Sequence, residues 1–204
     1  MRGLQTVGEI AADTLKKGPK AKDVVVLAIS AFEDFPMFNA GRGAALNRAG
    51  VHEVSSTLSI VDGHSAAYGA VGCTKRTKNP VLLANTLLEH GPHTMLVGGA
   101  AEKMAEDGRR AWPSRLGQQL LHHPVPQSLL GAGAARRDAG SETGTVGTVV
   151  LDSHGHFAAG GSTEGSTWKM DGRIGDGLKH GDGPDDVLEA GVSQVPGGRN
   201  DVVL

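Results

Sequence analysis

Residues 24–32, VVVLAISAF, are apolar on almost every side. A segment of that kind cannot lie on a surface, because it has no polar face to turn to water. It has to be covered by other elements all round. Asp23 stands where an N-cap would stand, and Pro36 closes the run. The reading is a helix buried between layers, with a buried strand as the alternative because of the β-branched residues. The flanking segments supply the layers. LQTVGEIAADTLKKG puts Leu4, Val7, Ala11 and Leu15 on one helical face, with Gly18 as the stop. STLSIVDGHSAAYGAVGC reads as two strands about a turn at Asp62-Gly63. KNPVLLANTLLEHGP is a helix capped by Asn79, opened by Pro80 and ended at Gly91-Pro92, and TMLVGGA is a short buried strand. Strand pairs that alternate with buried helices give an α+β or layered α/β chain.

The 204 residues suffice for one domain with a real core, and with 3% aromatics that core must be built from Val, Leu, Ile and Ala. A net charge of −2 gives no basis for a nucleic-acid or membrane-surface partner, and no apolar run reaches bilayer length. The single cysteine, Cys73, excludes an intrachain disulfide and fits a reducing, cytoplasmic setting. Its apolar surroundings make it a buried filler rather than a nucleophile. The N-terminus lacks the apolar core of a signal peptide.

Residues 109–142 carry scattered Pro, Gln, Gly and Arg with little periodicity and read as an exposed linker. Order returns immediately afterwards in TVGTVVLD, a turn at Ser153-His154-Gly155, and HFAAGGST, which together form a β-hairpin. Thr145 opens the first strand, with Gly144 before it. A hydroxyl is a poor nucleophile until a base takes its proton. A chain-terminal threonine carries that base on its own Cα, as an α-amine with a pKa of roughly 7.7–8. An internal threonine has only an amide there. The chemistry therefore requires cleavage between Gly144 and Thr145, for which the upstream linker leaves room. The plainer alternative is a glycine that opens a strand.

Several segments, in collinear order, favour the first reading. DVVVLAISAFEDFPMFNAGRGAALNRAG, SIVDG, GAVGCTKRTKNPVLLANTLLEHGPHTMLVG, GTVGTVVLD and STEGSTWKMDGRIGD together resemble the plant-type, or threonine-type, L-asparaginase and isoaspartyl peptidase family of N-terminal nucleophile hydrolases. The resemblance spans roughly residues 4 to 177. It implies an α+β fold, a four-layer αββα sandwich. The whole chain, 1–204, would be one such domain, with an α-part over 1–144 that contains the linker and a β-part over 145–204 that diverges from residue 178 onward. It implies hydrolysis of L-asparagine or β-aspartyl dipeptides, no required cofactor, and a homodimer of αβ units.

Residue by residue, the resemblance makes Thr145 the nucleophile and new N-terminus, Thr163 its hydrogen-bond support, and Asn39 a neighbour of the nucleophile. Arg173 would hold the substrate α-carboxylate and Asp176 its α-ammonium. Otherwise those two, three apart on a loop, form a surface pair worth little. The carbonyls of Phe32, Glu33, Phe35, Phe38, Ala40 and Arg42 would wrap a sodium or potassium ion, and a glycine-stabilised turn without an ion is the alternative. His154 and His156 read as turn histidines without a third ligand.

The sequence also departs from the pattern. The family's H-G-G-A-G strand and T-G-x-G-E strand have no counterpart here, so the expectation is a sandwich incomplete at both termini, and a catalytically inactive member is one alternative. A glycosylasparaginase-like amidase is another, although FNAGRG argues against it. Glu164 replaces a glycine after ST and is expected to crowd the substrate carboxylate.

Overall fold

The computed structural model describes residues 2–62, 65–90, 92–111, 144–175 and 201–204. They form four α-helices, a short 3-10 helix at Gly41–Gly43 and one mixed sheet. The helices are α1 (Arg2–Leu15), α2 (Ala21–Asp34), α3 (Pro80–His90) and α4 (Gly98–Ala111). The strands are β1 (Val54–Asp62), β2 (Ser65–Thr74), β3 (Met95–Val97), β4 (Val146–Leu151), β5 (Phe157–Thr163) and β6 (Asp201–Val203), in the spatial order β3-β2-β1-β5-β4-β6. The α+β class is as expected. Among the described residues, no helix is long and apolar enough to cross a membrane.

The apolar run at 24–32 is a helix, and the strand alternative falls. Val24, Val25, Ala28, Ile29 and Phe32 are all fully buried. The helix lies directly on the sheet: a Cβ added at Gly160 would come within 2.8 Å of a Val25 methyl, so only glycine permits this approach. Leu58 sits opposite both Gly69 and Gly160 in the register, which places these residues in one row under α2 and α3. Thr57, Ala70 and Ala159 on the opposite face are fully buried as well. β4 is likewise buried along both faces up to Leu151.

Four local readings need correction. Asp23 does not cap α2. It lies inside the first turn, Lys20 holds the cap position without a side-chain bond, and the N–H of Ala21 donates instead to Asp152 Oδ2 at 3.0 Å. Asn79 precedes α3 as expected, but its amide donates to Ser30 O and Asp34 Oδ1, and the free N–H of Val81 goes to Glu33 Oε1 at 3.2 Å. A helix start needs acceptors for its first N–H groups, and here the tertiary fold supplies them in place of the adjacent residue. Third, β3 is not buried: it is the sheet edge, paired in parallel with β2, and Met95 and Val97 are exposed. Fourth, α4 extends through Ala111, so residues 109–111 are helical; the remainder of the expected linker lies outside the described residues. Within the divergent tail, β6 adds a parallel strand beside β4, a feature the sequence reading missed.

Glu33 is fully buried, and that burial pushes its carboxyl up to about 8 despite the N–H of Val81. In the unfolded chain the group ionises near 4.5. A raised folded value stabilises the fold fully below the unfolded value and loses that contribution as pH rises through the folded one. The melting temperature should therefore fall between pH 5 and pH 8.5, by roughly 5 °C or more. Glu33→Gln keeps a neutral acceptor for Val81 and should flatten the fall. An equally steep fall in the variant would remove Glu33 as its cause.

Candidate active site

The β4–β5 hairpin brings the two threonines together. Val146 pairs with Ser162, so Thr145, one residue before, falls opposite Thr163 at the end of β5. Thr145 Oγ1 donates to Thr163 Oγ1 at 3.0 Å, and both residues are half-buried. β5 pairs on its other side with β1, where Ser55 meets Thr163. Thr163, the partner of the nucleophile candidate, thus sits at the end of a strand fixed on both sides, which holds the Thr145 hydroxyl in a defined direction.

Thr163 Oγ1 also accepts from the N–H of Gly165 at 2.8 Å. Gly165 is the junction of the site. Its carbonyl accepts from Asn39 Nδ2 at 2.8 Å, and the Arg173 guanidinium lies so close that a Cβ at Gly165 would be 2.6 Å from Nη1. Its φ of +82° is a second reason for glycine here. Three expected residues, Thr163, Asn39 and Arg173, therefore meet around one residue that sequence reasoning passed over. The available signal was a glycine two residues after the strand-ending threonine.

Asn39 is buried and spans two segments. Its Oδ1 accepts from the N–H of Ala45, and its backbone carbonyl accepts from the N–H of Glu164. It reaches the nucleophile through Gly165 and Thr163. Arg173 is exposed, and its guanidinium makes no ion pair among the described residues, which leaves it open to a carboxylate. Asp176 lies outside the described residues.

The loop that carries Arg173 is tied down from beneath. Buried Glu53 accepts from the N–H of Gly172 at 3.0 Å through Oε2 and pairs with Lys75 at 3.2 Å through Oε1. Buried Lys169 donates to the Glu53 carbonyl at 2.8 Å. Asn47 Nδ2 donates to Asp171 Oδ1 at 3.0 Å, and Arg48 Nε donates to Trp168 O at 3.1 Å. None of these anchors carries a motif that a sequence reading would single out.

The expectation for Glu164 is corrected. Its carboxylate is buried and taken up by partners of its own: it accepts from the N–H of Glu53 at 3.1 Å and pairs with His52 at 3.2 Å. A buried carboxylate needs partners, and the start of β1 provides them. Cys73 is buried, and burial together with the Glu53 charge pushes its thiol up, which disfavours the thiolate that a nucleophile needs.

The Asparaginase family model matches residues 1–184. The chain belongs to this asparaginase family. It is 35% identical over 187 residues to the isoaspartyl peptidase of Salmonella typhimurium, covering 86% of this chain and 59% of that protein. It is 40% identical over 164 residues to the isoaspartyl peptidase/L-asparaginase of Mus musculus, covering 79% and 50%. To the Homo sapiens protein of the same name it is 36% identical over 177 residues, covering 86% and 57%. This asparaginase-family chain therefore spans between half and three-fifths of the length of these curated relatives.

Proposed function

We propose that the chain hydrolyses L-asparagine and β-aspartyl dipeptides with Thr145 as the nucleophile, freed as an N-terminus by its own attack on the Gly144 carbonyl. The observation that carries this reading is the 3.0 Å hydrogen bond between Thr145 and Thr163, which joins two hydroxyls at the end of a hairpin near Arg173, whose guanidinium makes no ion pair among the described residues. In the first reaction, Thr145 Oγ adds to the Gly144 carbonyl carbon and the C–N bond breaks. The chain is then joined through an ester, and the leaving nitrogen takes up the Oγ proton beside its own hydrogen to become the α-amine. Water hydrolyses the ester, leaving a Gly144 carboxylate and a free Thr145 hydroxyl.

The α-amine then serves as base. It takes the Oγ proton as Oγ adds to the side-chain carbonyl of the substrate. The amide C–N bond breaks, and the proton leaves with ammonia or with the amino group of the second residue. Water attacks the aspartyl ester, releases L-aspartate and restores the hydroxyl. Thr163, held by the N–H of Gly165, orients Oγ throughout. Arg173 would grip the α-carboxylate, and Asp176 would accept from the α-ammonium.

The peptide carbonyls of Phe32, Glu33, Phe35, Phe38, Ala40 and Arg42 would hold a sodium or potassium ion that stiffens the loop bearing Asn39. The donor set supports this, since it is all oxygen and suits a hard cation. So does the crowding at Gly41 and Gly43, whose missing side chains would collide with the carbonyls of Glu33 and Phe38. A homodimer of αβ units and a cytoplasmic setting complete the proposal.

The test is release of L-aspartate from L-asparagine and from a β-aspartyl dipeptide such as β-aspartyl-leucine. Aspartate from at least one substrate is expected. None from either, with a folded protein, would refute the assignment.

A further inference from the structure

Asp152, Ser153, His154, Gly155 and His156 turn the chain between β4 and β5, at the end of the hairpin away from Thr145. The two histidines lack a third ligand on sequence grounds, and the fold supplies it in Asp152. One ligand atom from each of Asp152, His154 and His156 lies within 4.8 Å of the others. We propose that these three side chains form a binding site for a divalent transition-metal ion of the zinc, nickel and copper class.

The carboxylate is fixed in advance. Asp152 is buried; its Oδ1 accepts from the N–H groups of His154 at 2.9 Å and His156 at 3.0 Å, and its Oδ2 accepts from the N–H of Ala21 at 3.0 Å. An ionised carboxylate has about four acceptor positions. Three are taken, and the fourth lies on Oδ2, which His156 Nδ1 approaches at 3.4 Å. His154 Nδ1 lies 3.9 Å from Oδ1 on the same side of the turn. The two imidazoles are nearly parallel, with an interplanar angle of 17° and centroids 5.8 Å apart.

Their side chains are 64% and 37% exposed, so a small rotation can bring both nitrogens to the roughly 2.0–2.1 Å that a zinc–imidazole bond requires. Two imidazoles and one carboxylate select this class of metal over magnesium and calcium, which prefer all-oxygen sites. The start of α2 adds partial positive charge nearby, which the Asp152 carboxylate offsets, so the affinity expected is micromolar rather than nanomolar.

The metal would be a clamp and not a catalyst. The length of β5 separates the turn from Thr163, roughly 20 Å at about 3.3 Å per residue. Through Asp152 the turn already holds the first N–H of α2. A metal at this point would bind the folded state preferentially and stabilise it by mass action.

The experiment titrates the full chain with Zn²⁺ by calorimetry and follows its melting temperature. One Zn²⁺ per chain with a Kd of roughly 1–100 µM is expected, with a rise of a few degrees at saturation. The double variant His154→Ala/His156→Ala, altered only at exposed side chains, should lose at least tenfold in affinity and most of the rise. The chain has nine histidines, so a His90→Ala/His93→Ala control should bind as wild type does. Unchanged Zn²⁺ binding in the turn variant, or no binding to wild type at 1 mM, would overturn the proposal.

Discussion

Thr145→Ala should lower hydrolysis of a β-aspartyl dipeptide by at least about 10³-fold while the protein remains folded. The fold should survive because Thr145 lies just before β4, half-buried, and among the described residues its side chain bonds only to Thr163. The loss is large because the substitution removes both the attacking oxygen and the route to the amine that would activate it. Thr145→Ser keeps both and should retain measurable cutting and turnover. Near-wild-type hydrolysis in the alanine variant would move the nucleophile elsewhere in the chain.

Arg173→Ala should raise KM for the dipeptide by roughly 10- to 100-fold, the range expected for losing a charge-assisted hydrogen bond to a carboxylate. Self-cleavage should persist, since cutting the Gly144–Thr145 bond involves no free α-carboxylate. Gly165→Ala should act in the same direction, because the new methyl would occupy the space of the Arg173 guanidinium at a backbone angle that alanine disfavours. Equal KM values for wild type and Arg173→Ala would place the arginine outside the pocket. Slowed self-cleavage in Gly165→Ala alone would separate its hold on Thr163 from its seat for Arg173.

The elements that were legible in the sequence carried their signal locally. An apolar run has to be buried, and the turn at Ser153-His154-Gly155 folds one strand back on the next; β1 and β2 pair antiparallel as expected, although Gly63 of their expected turn lies outside the described residues. The pairing of Thr145 with Thr163 follows from the register of one such hairpin. What escaped reading depends on partners distant in the chain. Asp152 caps α2 across 131 residues and Glu33 caps α3 across 48, so the nearby Asp23 and Asn79 were plausible but mistaken cap side chains. Glu164 reads as an intruder in the pocket because nothing local indicates that Glu53 and His52 engage its carboxylate. The charged residues of α4 and the short β6 gave no apolar pattern strong enough to mark them. Gly165 and Glu53 matter for what they hold, and a single sequence does not reveal that.

For the proposed chemistry Thr145 has to become an N-terminus. The direct measurement is intact mass and N-terminal sequencing of the purified folded protein over prolonged incubation. The 21.0 kDa chain should give way to residues 1–144 and a piece of about 6 kDa that begins Thr-Val-Gly-Thr. The two should co-elute, because β5 of the small piece stays paired with β1 of the large one. An uncut chain that nevertheless releases aspartate, or a fragment that begins at any other residue, would contradict the proposal.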